Sequence, residues 1–197
     1  MDLENIFTEL LQKIGFSITD IGRHWKELEK VYSGKSRHYH NLVHIEEMIF
    51  LYSHYESNLQ FPDEVLYSIF YHDYIYNVTR KDNERKSADY ALSILPSNAK
   101  INTHLVHEMI AATQVHQHNE KEDINWLIDF DLKILSKEWK DYKIYSDQIR
   151  KEYKIYPDFL YKPGRKKALE HFLENDFIYQ TTEFRAKYEQ TARQNIL

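Results

Sequence analysis

Two adjacent residues, His72 and Asp73 in the segment YHDYIYN (71–77), join a nitrogen ligand to a carboxylate at the end of an apolar run, Val65, Leu66, Ile69 and Phe70. A buried carboxylate is costly unless it is paired or coordinates a metal. The neighbouring imidazole points to the metal. On a helix, adjacent side chains diverge by roughly 100°, so the doublet can hold an ion from two sides but needs further ligands from other helices. His40 and His44 stand at i, i+4 across the start of another helix and can share a face. His44 falls where that helix becomes apolar, which favours an inward side chain. His40 lies near the cap and could equally line the mouth of a pocket. Downstream, DFDLKIL (129–135) sets two carboxylates, Asp129 and Asp131, in an apolar run. They point roughly 200° apart on a helix, and Asp129 is nearly as good a candidate as Asp131. The shell read from these residues is His44, His72, Asp73 and Asp131. Nitrogen and oxygen donors without thiolate suit a divalent Mn, Mg, Fe, Ni or Zn ion.

Other groups could take part in chemistry around such an ion. His116 closes the segment AATQVH (111–116). It could be an exposed helix-end cation that favours the dipole. Glu84 could orient a water or shuttle a proton, although a first-turn glutamate also complements a helix dipole. Arg37 could hold a phosphate bidentately. His104, His107 and His118 read as surface residues. Arg150 and Arg165 read as structural, pairing with carboxylates such as Glu152.

Bulk properties narrow the field. The chain has 197 residues, 42% of them hydrophobic and 15% aromatic, enough for one domain with a substantial core. Its net charge of −5 offers no basic footprint for nucleic acid. With no cysteine there are no disulfides, thiolate zinc sites or cysteine nucleophiles. The N-terminal MDLENIFTELL lacks a basic signal-peptide region, and no run of about 18 apolar residues is present. These features predict a cytoplasmic protein without membrane partners; nothing in them specifies an oligomeric state.

The elements that must position the candidates read as helices throughout. Only 4 Gly and 4 Pro interrupt the chain. Leu3, Ile6, Phe7, Leu10, Leu11 and Ile14 follow the helical template, ended by Gly15. A second helix runs through Ile21, Trp25 and Leu28 to near Gly34. A polar loop, SGKSRHYHN, leads to a third, with Asn41 as N-cap. Pro62, Asp63 and Glu64 open a fourth, expected to carry the doublet. A fifth spans about Glu84 to Leu95, a sixth begins near Thr103, a seventh near Asp123, and an eighth spans about Lys137 to Tyr153. A break at KPGR and two shorter helices are expected beyond Pro157, the last capped at Thr181 or Thr182. No segment alternates with period two, and the fold class is all-α.

An ordered His, His-Asp doublet and distant Asp resembles the HD superfamily of metal-dependent phosphohydrolases. The blocks RHYHNLVHIEEM, FYHDYIYN, DNERKSADYAL, AATQVH, DFDLKIL, YSDQIRKEY and YKPGRKKALEHFL look, in this order, like the bacterial branch of predicted metal-dependent HD phosphohydrolases. The resemblance covers roughly residues 37 to 180. It implies an HD-domain helical bundle over residues 1–197 with helical extensions at both ends, and it implies His44, His72, Asp73 and Asp131 as ligands. Related HD proteins with two metals place extra His residues between the doublet and the last Asp, so the resemblance also offers His116 as a second-metal ligand or phosphate contact. One departure is Ser136, where the family pattern suggests Gly after the leucine.

The expected activity is hydrolysis of a small phosphorylated metabolite or nucleotide by a metal-activated water. In that scheme Asp73 binds metal and orients the water, His116, His40 or Glu84 protonates the leaving oxygen, and Arg37 fixes the phosphate. The alternatives are a di-iron oxygenase of HD type, which needs more His ligands between Asp73 and Asp131, and a non-catalytic nucleotide or metal sensor. No P-loop or dinucleotide fingerprint is present.

Overall fold

The computed structural model describes residues Met1–Leu197. It contains ten α-helices, two short 3-10 turns and no strand. The chain forms two compact units, Met1–His116 and Gln117–Leu197.

In the first unit, α1 (Leu3–Ile14), α2 (Ile18–Tyr32), α3 (Leu42–Tyr55), α5 (Asn83–Ser93) and α6 (Thr103–Ala112) accompany α4 (Pro62–Tyr71). Helix α4 is the hub, in contact with α1, α3, α5 and α6. Its sequence explains why. From Glu64 to Tyr71 every residue is buried, and a helix without a solvent face belongs at the centre of a bundle. The edge of Phe7 from α1 meets Phe70 at 5.0 Å between ring centroids. Most polar groups brought inside are hydrogen-bonded, the buried Tyr71 hydroxyl being an exception. Tyr67 donates to the Ala91 carbonyl at 2.7 Å, and Tyr32 donates to the Phe70 carbonyl at 3.0 Å. Glu64 accepts from the Asn102 amide at 2.8 Å, at the N-cap of α6.

Local caps set the boundaries. Asp2 caps α1 by accepting from Asn5, and Gly15, at φ 114°, ends it in the left-handed conformation that suits glycine. The Gly15 and Phe16 amides then return to carbonyls of the last turn. Asn41 caps α3 as the sequence predicts, accepting from the Val43 amide at 2.8 Å.

The second unit contains α7 (Glu122–Leu132), α8 (Trp139–Glu152), α9 (Asp158–Glu174) and α10 (Thr182–Ile196), with a 3-10 turn at Lys133–Ser136. Trp126, Phe130, Tyr179 and Phe184 form its aromatic core. Arg193 stitches α10 to the end of α9, donating to the carbonyls of Leu173, Asn175 and Asp176. Arg150 is structural as expected, but its carboxylate partner is Asp158, at 2.7 Å, rather than Glu152.

Two further expectations need correction. The KPGR segment does not break the chain, because α9 runs through Pro163 and Gly164 without interruption. A helical proline leaves the carbonyl four residues earlier without its usual donor. Here that is the carbonyl of Phe159, an exposed residue that water can reach. The doublet is also not within α4. The helix ends at Tyr71, His72 is its C-cap residue, and Asp73 lies in the following turn.

Candidate metal centre

That displacement by one residue changes the geometry of the doublet. Within a helix, the two side chains would diverge. In the turn, they converge: Asp73 Oδ2 lies 3.1 Å from His72 Nε2. The His72 amide still bonds back to Ser68 at 2.8 Å, so the imidazole is anchored to the last helical turn. Its Nδ1 donates to the Ile69 carbonyl at 2.9 Å. In a neutral ring this assigns the proton to Nδ1 and leaves the Nε2 lone pair facing Asp73. A histidine held through its other nitrogen by a carbonyl is the usual orientation of a metal ligand.

His44 comes from the first turn of α3, placed there by the Asn41 cap. Its Nε2 lies 3.3 Å from that of His72 and 3.9 Å from Asp73 Oδ2. His44, His72 and Asp73 are all buried, at 3%, 1% and 9% of full exposure. The three atoms form a triangle with sides of 3.1, 3.3 and 3.9 Å. Its circumcentre stands about 2.0 Å from each corner, which is the length of a zinc–imidazole or zinc–carboxylate bond. Nitrogen and oxygen donors at these separations suit a divalent ion.

The surroundings fix these ligands in place. Arg37 donates to the His40 carbonyl at 3.0 Å and to the Tyr74 carbonyl at 2.8 Å, bridging the segments that carry the two parts of the site. Its guanidinium also stands over the rings of Tyr32 and Tyr76. His40 Nε2 is 4.0 Å from Asp73 Oδ2, and its side chain is partly exposed. The loop after the doublet is clamped twice. The Asn83 side chain bonds both the amide and the carbonyl of Asn77, and Ser87 Oγ does the same for Ile75.

Of the other sequence candidates, Glu84 occupies the first turn of α5 and is half-buried. His116 ends the first unit. At φ 52° it is the only non-glycine residue in the left-handed region, and its amide closes the end of α6 on the Ala112 carbonyl at 3.0 Å. Sequence reasoning passed over Tyr39 and Tyr76. Tyr39 packs against His44 with 4.8 Å between centroids, and Tyr76 against His40 with 4.2 Å. Tyr39 stands between His38 and His40 in RHYH and Tyr76 closely follows the doublet in YHDYIYN, which was the available signal.

In the second unit, α7 separates its two aspartates by role. Asp129 is fully buried. Its oxygens accept from the Gln180 amide at 2.6 Å, the Thr181 amide at 2.8 Å and the Thr181 hydroxyl at 2.7 Å, which ties α7 to the N-terminus of α10. Burial pushes its carboxyl up to about 7, against the pull of these donors. Asp131 is the penultimate residue of α7 and is half-buried.

No family model, no curated protein and no solved structure matches the chain. No helix is long and apolar enough to cross a membrane.

Proposed function

We propose that this protein is a metal-dependent phosphohydrolase of HD type, with His44, His72, Asp73 and Asp131 holding a divalent ion. The observation that carries the reading is the convergence of His44 Nε2, His72 Nε2 and Asp73 Oδ2, at separations of 3.1 to 3.9 Å. Two imidazole nitrogens and a carboxylate oxygen that close to one another suit a cation among them. The donor types of His44, His72 and Asp131 suit a divalent ion. With neutral imidazoles, the two carboxylates supply the charge that balances it. Asp131 is preferred to Asp129 because Asp129 already serves the N-terminus of α10.

When bound, the ion would lower the pKa of a water from about 15.7 toward 7 and polarise a phosphoryl oxygen. The chain's own groups would do the rest. Asp73 orients the water. Tyr76 holds His40 in place, and His40 can carry a proton at Nε2 to the leaving oxygen. Arg37 is better read as the brace of the site than as its phosphate grip, since its Nη1 and Nη2 are engaged by two backbone carbonyls. The substrate class is a small phosphorylated metabolite or nucleotide.

The test is a phosphate-release screen over nucleotides and sugar phosphates with each of the five divalent metals. The expected result is turnover that falls by about a hundredfold or more in His72→Ala and Asp73→Asn. Equal turnover in wild type and both variants would refute the proposal.

A further inference from the structure

We infer that a cleft of the second unit, along one face of α9, binds an organic oxyanion that carries an apolar arm. The cleft has a volume of about 490 Å³. Lys162, Arg165 and Lys166 line one end; Leu169, Leu173 and Ile196 line the other. The α9 members fall at i, i+3, i+4, i+7 and i+11, so they form one stripe of the helix. The basic residues lie toward its N-terminal half. No residue of α9 is buried, so this stripe faces the cleft rather than a packed core.

Arg165 is the observation that points to a ligand. No carboxylate pairs with its guanidinium. One of its N–H groups donates to the Tyr145 hydroxyl at 2.7 Å, and its buried Nε–H finds no acceptor. An arginine has five donors and no acceptor of its own. A planar oxyanion or a phosphate is the ligand that matches such a fork. The long side chains of Lys162 and Lys166 are mostly exposed and can reach toward the same group. Glu170 is the one acidic side chain lining the cleft, and Lys166 lies 3.6 Å from it. Ser146 adds a hydroxyl at the wall. The apolar end gives the ligand's hydrocarbon a place, so inorganic phosphate should bind more weakly than an alkyl phosphate.

The experiment uses the full chain labelled with ¹⁵N-arginine, titrated separately with hexyl phosphate, hexanoate and inorganic phosphate. The expected result is a saturable shift of the Arg165 Nε–H resonance, at least tenfold tighter for a hexyl ligand than for inorganic phosphate. The stronger of the two hexyl ligands identifies the oxyanion. Lys166→Gln and Lys162→Gln change exposed residues and should keep the fold, as checked by circular dichroism. Each should weaken binding at least threefold, and Arg165→Lys more than either. Phosphate taken up only at the His/Asp group would leave the Arg165 resonance unmoved and would overturn the inference, as would binding indifferent to both lysine substitutions.

Discussion

Replacing Asp131 with Asn preserves volume and removes a charge, and the same exchange at Asp129 removes something different. Asp129→Asn puts an amide where three donors expect acceptors, so it should destabilise the fold by about 1–3 kcal/mol while retaining metal. Asp131→Asn should lose the metal and melt at the temperature of the metal-free wild type. Thermal unfolding and metal analysis of the two variants read out both halves, and the opposite pattern would move the ligand assignment to Asp129. His24 offers a pH test outside the site. It is buried, packed edge-on against Phe16 at 5.6 Å. Burial holds its pKa below the usual value of 6.5, with Arg23 adding to the effect. The unfolded chain therefore takes up this proton more readily. The His24 contribution to stability is present above pH 6.5 and is lost as pH falls through the lower folded value. Melting temperatures of wild type and His24→Phe should diverge in favour of the variant between pH 7.5 and 5.5. A constant difference would contradict that account. Neither the role of Asp129 nor that of His24 was legible in the sequence. A carboxylate in an apolar run reads the same whether it binds an ion or caps a helix 50 residues downstream.

Among the elements, those with a chemical boundary were readable. Gly15, Asn41 and Thr181 stand where the caps fall because each satisfies amides or carbonyls locally. The end of α4 was not, since nothing in YHDYIYN forbids another helical turn, and its termination one residue before His72 depends on tertiary contacts. Pro163 misled for the opposite reason, a helix-breaking residue tolerated where solvent can reach the affected carbonyl. Arg37 gives a test at this scale. As a brace between the α3 entry and the turn after α4, its loss should loosen the ligands. Arg37→Met should weaken metal affinity about tenfold or more, measured by competition with a fluorescent chelator, at unchanged helicity. If affinity stayed constant and only KM rose, Arg37 would be a phosphate contact instead. His116 offers a second test. A non-glycine residue in the left-handed region costs about 1–2 kcal/mol, so His116→Gly should be neutral or stabilising in a denaturant melt. Activity lost without stability would assign His116 to chemistry.

For the molecule as a whole, the all-α class followed from the periodicity of the apolar residues, and ten helices without a strand answer to it. The set of ligand candidates followed from residue types. What the sequence withheld was their convergence, because distances of 3.1 to 3.9 Å among His44, His72 and Asp73 arise from the α3 cap and the turn after α4 together. A ligand that binds only the folded chain stabilises it by about 2.7 kcal/mol at a hundred times its Kd. Adding the right divalent ion should therefore raise the melting temperature of wild type and leave His72→Ala unmoved. The most direct measurement is elemental analysis of protein purified without chelators and passed through gel filtration, wild type beside His72→Ala. The account predicts about one divalent ion per wild-type chain and almost none in the variant. Equal metal content in the two proteins, or none in wild type even after incubation with each of manganese, magnesium, iron, nickel and zinc, would contradict it.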